Sequence, residues 1–269
     1  MSEGSLKGML AFAAETATEA GKLLRAGLGS ERRISKKGRI NLVTDMDFAS
    51  ERLIVGRIRQ RFPDHQILAE EKGSRTADSP FKWVVDPLDG TTNYAHAYRF
   101  FCVSIALEAE GEIVLGVVYD PVTEELFSAA RDQSACLNGS PIQVSHEDSL
   151  GDSLLCTGFS YQEAAIRENL KLFNRLMFRA QALRRDGSAA LDLCYVACGR
   201  LEAFWELSLN PWDVAAGKFI VEQAGGRVTS FRGDPCTIYD AEILASNGKL
   251  HEPMMEALTA GGEAAGGGK

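Results

Sequence analysis

The chain has no CxxC pair and no Cys/His group at zinc spacing, and it carries only four histidines in 269 residues. His65, His96, His146 and His251 stand apart, which argues against a His-ligated metal site or a Cys-His nucleophile pair. Its six cysteines, Cys102, Cys136, Cys156, Cys194, Cys198 and Cys236, are scattered and read as buried, reduced thiols. No window approaches the roughly 18 uninterrupted apolar residues that a membrane span needs. The opening "MSEGSLKGMLAFAAETATEAGKLL" mixes acids into its apolar residues, unlike a secretory signal, so a cytoplasmic location is expected. Positive charge is also short, with 29 Lys and Arg against 37 Asp and Glu and a net charge of -8. Nucleic acid and anionic membrane are therefore not expected partners. The one basic run, "RRISKKGR" (Arg32 to Arg39), reads as a solvated loop.

At 45% hydrophobic and 25% charged, the composition supports a sizeable soluble core. Apolar residues at helical spacing predict a helix over Leu6 to Leu28, stopped by Gly29. A second helix should start at Thr44 or Asp45, with Phe48, Leu53, Ile54 and Ile58 as its apolar face. "HQILA" is a short strand ending at Glu70 and Glu71. The runs "FKWVV", "FFCVSIAL", "EIVLGVVYD" and "ELFSAA" are β-rich segments between turn residues, and "GSPIQVS" reads as a hairpin with an edge strand. Later come a helix over about Gln162 to Ala182, a helix at "SAALDLCYVACG", a strand at "RLEAFWELS" and a helix at "PWDVAAGKFIVEQAGG". "RVTSF" and "EILASN" close the series as strands. The pattern fits a layered α/β (α+β) protein with mixed, largely antiparallel sheets. Residues 1–260 read as one domain, followed by a flexible Gly/Ala-rich tail over 261–269.

The chemistry concentrates in "WVVDPLDGTTN", Trp83 to Asn93. Asp86 and Asp89 flank Pro87, which should force the chain out of the strand, and Gly90 permits a tight turn. Glu70 ends a nearby strand, and Asp213 falls in the first turn of a helix. Clustered carboxylates repel one another and call for compensation, most simply by hard divalent cations with oxygen ligands, Mg²⁺ first among them. Gly-Thr-Thr offers N–H groups and hydroxyls suited to phosphate oxygens, and a helix starting after Thr91 would add its dipole. Acids beside a phosphate cradle point to metal-assisted phosphoester chemistry. Singly, each segment has a plainer reading: "DPLDG" as a turn, "EE" as a solvated turn, "PWD" as a helix start.

Taken together and in this order, the segments resemble the inositol monophosphatase family of Mg²⁺-dependent, lithium-sensitive phosphatases. "WVVDPLDGTTNYAHAYRFFCVSIAL" and "NPWDVAAGKFIVEQAGG" look like its two signatures, and Glu70-Glu71, "NLVTDMD" and "RRDGSAALDLCYVACGRLEAFWE" match its other segments. The similarity runs from about Leu6 to Leu258. It implies a layered α-β-α-β-α sandwich and a homodimer. It also implies about two or three Mg²⁺ ions per site, held by Glu70, Asp86, the Leu88 carbonyl, Asp89 and Asp213. Glu70, Thr91 and Asp47 would orient and activate the attacking water, and Gly90 and Thr91 would receive the phosphate. Lys36 matches a basic residue on a loop that closes over the site, or is a solvated lysine.

On the substrate side the resemblance implies Glu206, Ser188, Ala189 and Asp213, with Glu206 accepting hydrogen bonds from sugar hydroxyls. A strand-borne glutamate otherwise reads as a surface residue. Asn93 after Gly-Thr-Thr resembles the inositol branch and not the nucleotide 3'-phosphatases. Inositol 1-phosphate is the leading substrate; fructose 1,6-bisphosphatase and histidinol-phosphatase activities are the alternatives on the same scaffold. A regulatory binding module is the non-enzymatic alternative. Asp186 in "RRDGSAA" has no assigned role.

Overall fold

The computed structural model describes residues 3–29, 34–36 and 42–260. The first helix, α1 (Glu3–Gly27), buries Leu6, Ala13, Ala17, Ala20 and Leu24 along one stripe. Strand β1 (Ile34–Lys36) pairs antiparallel with β2 (Leu42–Thr44), so part of the basic run is strand and not loop. The remainder of that run, the Lys36 side chain and the 261–269 tail lie outside the described residues. Helix α2 (Asp45–Arg61) begins at Thr44, whose hydroxyl accepts from the Met46 N–H at 3.2 Å. Its buried face holds Ile54, Val55 and Ile58 together with Asp47, Ser50 and Glu51, while Phe48 and Leu53 are only half-buried. The polar three take that face because each satisfies a neighbouring backbone group. The Ser50 hydroxyl donates to the Pro87 carbonyl at 2.7 Å, and the Glu51 carboxylate accepts from the N–H groups of Glu71 and Lys72, both at 2.8 Å.

Seven strands then form one sheet in chain order: β3 (Gln66–Ala69), β4 (Phe81–Asp89), β5 (Cys102–Ala109), β6 (Glu112–Asp120), β7 (Glu125–Ala130), β8 (Cys136–Leu137) and β9 (Ser140–Pro141). The β3/β4 pair is parallel and the later pairs are antiparallel. β4 does not stop at Pro87 as its sequence predicts. It runs on to Asp89 through a bulge, with Asp86 opposite Ser104 and Asp89 opposite Cys102. A bulge accommodates a residue that cannot donate to the ladder. A short helix, α3 (Thr91–Ala95), follows at once.

The second sheet has five strands: β10 (Leu154–Thr157), β11 (Ala182–Arg184), β12 (Ala203–Leu207), β13 (Arg227–Thr229) and β14 (Glu242–Ser246), in the order β11-β10-β12-β14-β13. It is mixed, with β10 parallel to β11 and β12, and β14 antiparallel to β12 and β13. The helix expected to reach Ala182 is α4 (Glu163–Met177), which ends five residues earlier because Ala182–Arg184 pairs with Leu154–Cys156 as an edge strand. Here tertiary pairing overrides the helical preference of Ala and Leu. Helices α5 (Ala189–Ala197) and α6 (Pro211–Gln223) fall where their sequence predicts. α7 (His251–Thr259), not anticipated, carries Pro253 within its first turn, where proline is tolerated.

Three apolar clusters glue these elements into layers. α1 and α2 cover one face of the seven-stranded sheet around Trp83, Val85, Ile105 and Leu107. α5 and α6 fill the space between the sheets, packing Leu191, Leu193, Phe219 and Ile220 against Val84, Val118 and Phe204. α4 and α7 close the far face of the smaller sheet around Trp205 and Leu244. The order is α-β-α-β-α. Because helices cover both faces, β4 reads as a near-continuous buried run instead of an alternating one. Gly116 lets α6 lie close on β6: a Cβ there would sit 2.8 Å from the Ala216 carbonyl oxygen.

Candidate active site

The bulged end of β4, the start of α3, the loop before α5, the end of β12 and the start of α6 converge on one cleft of ≈ 320 Å³. Glu70, Asp86, Leu88, Asp89, Gly90, Thr91, Ser188, Ala189, Glu206 and Asp213 all line it. Apart from Lys36, whose side chain lies outside the described residues, every site residue expected from sequence is therefore at its wall except Asp47. Asp47 is fully buried behind Thr91, whose hydroxyl lies 2.8 Å from Asp47 Oδ1 and 3.0 Å from the Leu88 carbonyl oxygen.

The chain positions the acids firmly. Asp86 Oδ1 accepts from the Leu88 N–H at 3.0 Å, a small loop closed over Pro87. Asp89 Oδ2 accepts from the Ser188 hydroxyl at 2.7 Å and the Ala190 N–H at 2.8 Å, which ties the β4 end to the first turn of α5. Asp213 Oδ2 accepts from the Asn210 N–H at 2.7 Å, closing the first turn of α6. Asp47 Oδ2 accepts from the Thr44 N–H at 2.8 Å and the Thr44 hydroxyl at 2.6 Å. Gly90 takes φ 94°, and a Cβ there would lie 2.9 Å from the Phe100 carbonyl oxygen. Only glycine suits that turn.

Crowding leaves an electrostatic mark. Burial, then the charges of Glu70, Asp89 and Asp213, push the Asp86 carboxyl far above its ordinary range. Burial raises Asp89 to about 6, against the opposing pull of its donors Ser188 and Ala190. Burial and the charge of Asp89 raise Asp213 to about 8. Burial alone raises Asp47, against its bonds from Thr44 and Thr91. A hard divalent cation reverses this logic, since it stabilises the ionised carboxylates. Four carboxylates and a backbone carbonyl are the oxygen donors such ions take, so the residues present fit one.

Glu206 departs from the plain reading of a strand-borne glutamate. It is 6% exposed on β12 and sits so close to Gly158 that a Cβ there would meet Glu206 Oε2 at 2.0 Å. Burial, then the charges of Asp192 and Asp213, raise its carboxyl well above the ordinary range. Three features escaped the sequence reading. Arg185 and Asp192 line the cleft. The Asn93 amide donates to the carbonyls of Phe100 and Asp186, both at 2.8 Å, pinning the Gly-Thr-Thr turn to the substrate-side loop. The signal was present in "RRDGSAALD", but side-chain direction was not legible there. Asp186 does not line the cleft; its carboxylate lies near Cys156 and Asp192.

Buried acids converging beside a glycine-hydroxyl turn, between two mixed sheets in an α-β-α-β-α stack, define a class of phosphate-ester hydrolases that work with divalent cations. Comparison with known proteins agrees. The model of the inositol monophosphatase family matches residues 5–262, and the chain belongs to that family. An inositol-1-monophosphatase of Synechocystis sp. is 46% identical over 262 residues, covering 96% of this chain and 91% of the relative. The inositol monophosphatase structure from Anabaena is 43% identical with a TM-score of 0.85, covering 96% of this chain and 97% of that one. The extragenic suppressor protein suhB of Bartonella henselae superposes with a TM-score of 0.91 at 36% identity, covering 94% of this chain and 99% of that one. The protein is a phosphoric monoester hydrolase. No helix among the described residues is long and apolar enough to cross a membrane.

Proposed function

We propose that the protein is a Mg²⁺-dependent, lithium-sensitive phosphatase that hydrolyses inositol 1-phosphate and related inositol monophosphates. The observation that carries this reading is the meeting of Glu70, Asp86, Asp89 and Asp213 with the Gly90-Thr91 turn in one cleft. Similarity to a relative named inositol-1-monophosphatase supports the choice of substrate. Residues 1–260 act as one catalytic domain in this reading, in a cytoplasmic homodimer.

Glu70, Asp86 and the Leu88 carbonyl would hold one Mg²⁺, and Asp86, Asp89 and Asp213 a second, within a total of about two or three. Such ions supply Lewis acidity to the phosphate and lower the pKa of a water ligand. The chain's own groups do the positioning. The Thr91 hydroxyl has two acceptors within reach, Asp47 and the Leu88 carbonyl, so its proton points inward and its lone pairs face the cleft. From there Thr91 and Glu70 orient water for in-line attack, and Asp47, fixed by Thr44, draws off charge through the Thr91 hydroxyl. Backbone N–H groups of Gly90 and Thr91 hold phosphate oxygens. Ser188, Ala189 and Glu206 form the polyol wall, with the Glu206 carboxylate accepting from hydroxyls and Asp213 at its edge.

A phosphate-release panel with Mg²⁺ tests this, comparing inositol 1-phosphate, fructose 1,6-bisphosphate, histidinol phosphate and adenosine 3',5'-bisphosphate by kcat/KM. The highest value is expected for inositol 1-phosphate, with rates reduced by added Li⁺. A higher value for fructose 1,6-bisphosphate or histidinol phosphate moves the assignment to that activity, and no Mg²⁺-dependent release overturns it.

A further inference from the structure

We propose that Cys156, Asp186 and Asp192 form a second cation site, at the edge of the catalytic cleft that Asp192 also lines, that takes one thiophilic divalent ion such as Zn²⁺. Cys156 Sγ and one carboxylate oxygen from each aspartate all lie within 4.8 Å of one another. Cys156 is 0% and Asp192 1% exposed, while Asp186 is half-buried and leaves a path from solvent.

The state of Asp192 points to a ligand. Both of its oxygens are buried, and neither accepts from an N–H or O–H group among the described residues; the Cys156 thiol beside them is the one donor they have there. A carboxylate shut away from water with only a weak thiol donor is costly, and a proton or a cation relieves it. A proton answers only for Asp192, whereas a cation uses all three groups at once. The donor set then decides which cation. Mg²⁺ wants near-octahedral oxygen ligands and sheds water reluctantly, whereas a thiolate with two carboxylates suits Zn²⁺.

Charge is compatible. A thiolate and two carboxylates against one divalent ion leave a single negative charge, and the guanidinium groups of Arg184 and Arg185 lie near Asp186, with Arg185 near Asp192 as well. Glu206 and Asp89 add negative potential from β12 and β4. Binding exchanges the Cys156 S–H proton, released to solvent, for the metal-sulfur bond, with no change of oxidation state. The three ligands ride on β10, the loop after β11 and the first turn of α5, so an ion would tie these together. That loop and helix also supply the Ser188 and Ala190 donors to Asp89.

Cobalt(II) is a suitable probe because a thiolate-cobalt bond gives a charge-transfer band in the near ultraviolet. The full chain, stripped by chelator and kept in excess Mg²⁺, is titrated with Co²⁺ without substrate. One equivalent per chain with that band is expected. Cys156→Ser should abolish the band, and Asp192→Asn should weaken Co²⁺ affinity roughly tenfold or more. No band in the wild-type protein, or an undiminished band in Cys156→Ser, overturns the site. If Cys156→Ser does not fold, unchanged affinity in Asp192→Asn overturns it instead. The readout needs no turnover, so it stands or falls separately from the phosphate-release panel.

Discussion

Asp89 and Glu206 line the same cleft, yet the chain treats them differently. Asp89 is gripped by a hydroxyl and an N–H, as Asp213 is by Asn210 and Asp86 by Leu88. Glu206 accepts no hydrogen bond among the described residues and is simply walled in. Donors to a carboxylate fix its direction and offset part of its desolvation. Acids held this way suit a partner with strict geometry, such as a small cation. An acid without donors whose oxygens still reach the cleft, unlike the buried oxygens of Asp192, suits a partner that brings its own, such as a polyol hydroxyl. In the proposed function the two walls would divide the work, one for the reaction and one for the choice of substrate.

Substitutions can break this division, and the largest effect belongs to the gripped side. Asp89→Asn or Asp213→Asn should lower Mg²⁺-dependent kcat by about 10³-fold or more, since a metal contributes several kcal/mol to the transition state. Near-normal turnover in either variant would dissolve the distinction. Thr91→Ala removes the link to Asp47 and should cost about 10²-fold in kcat, with little change in KM. Glu206→Gln should lower kcat/KM for inositol 1-phosphate by roughly 10-fold. It should leave an aryl phosphate without hydroxyls unaffected, and an equal loss on both would place Glu206 with the gripped acids.

The smallest effect concerns pH. Asp89 near 6 and Asp213 near 8 bind protons more tightly when folded than in the unfolded chain, where carboxyls titrate near 4. Their contribution to the metal-free protein is therefore complete below about pH 4 and is lost as pH rises through 6 and then 8. The metal-free Tm should fall by a few degrees between pH 5 and pH 8, measured by calorimetry. Mg²⁺ should restore more of it at pH 8 than at pH 5, because the ion competes with those protons. A flat metal-free profile would show that the acids are not crowded.

Much of this was legible in the chain. Hydrophobic spacing located α1, α2, α5, α6 and strands β3 to β7 of the larger sheet, and the acid segments led to the cleft through their resemblance to a family. What stayed hidden depends on partners distant in sequence. Ala182–Arg184 is strand because β10 lies beside it, and Ser50 is buried because Pro87 needs a donor to its carbonyl. Glu206 and a surface glutamate look alike in sequence until the wall at Gly158 is known. Asp192 reads as an ordinary acid in the first turn of α5, and only the fold sets it against Cys156.

The bulge in β4 is a matter of parity. Side chains in a regular strand alternate, so residues separated by three positions face opposite ways. Asp86 and Asp89 would then point to opposite sides of the sheet, one toward the cleft and the other toward α1 and α2. Across the bulge β4 advances three residues while β5 advances two, from Ser104 to Cys102. That single extra residue changes odd to even and turns both carboxylates the same way. Straightening the strand without shortening it would send the two acids to opposite faces, whereas deleting Pro87 or Leu88 would leave them two positions apart and still on one face.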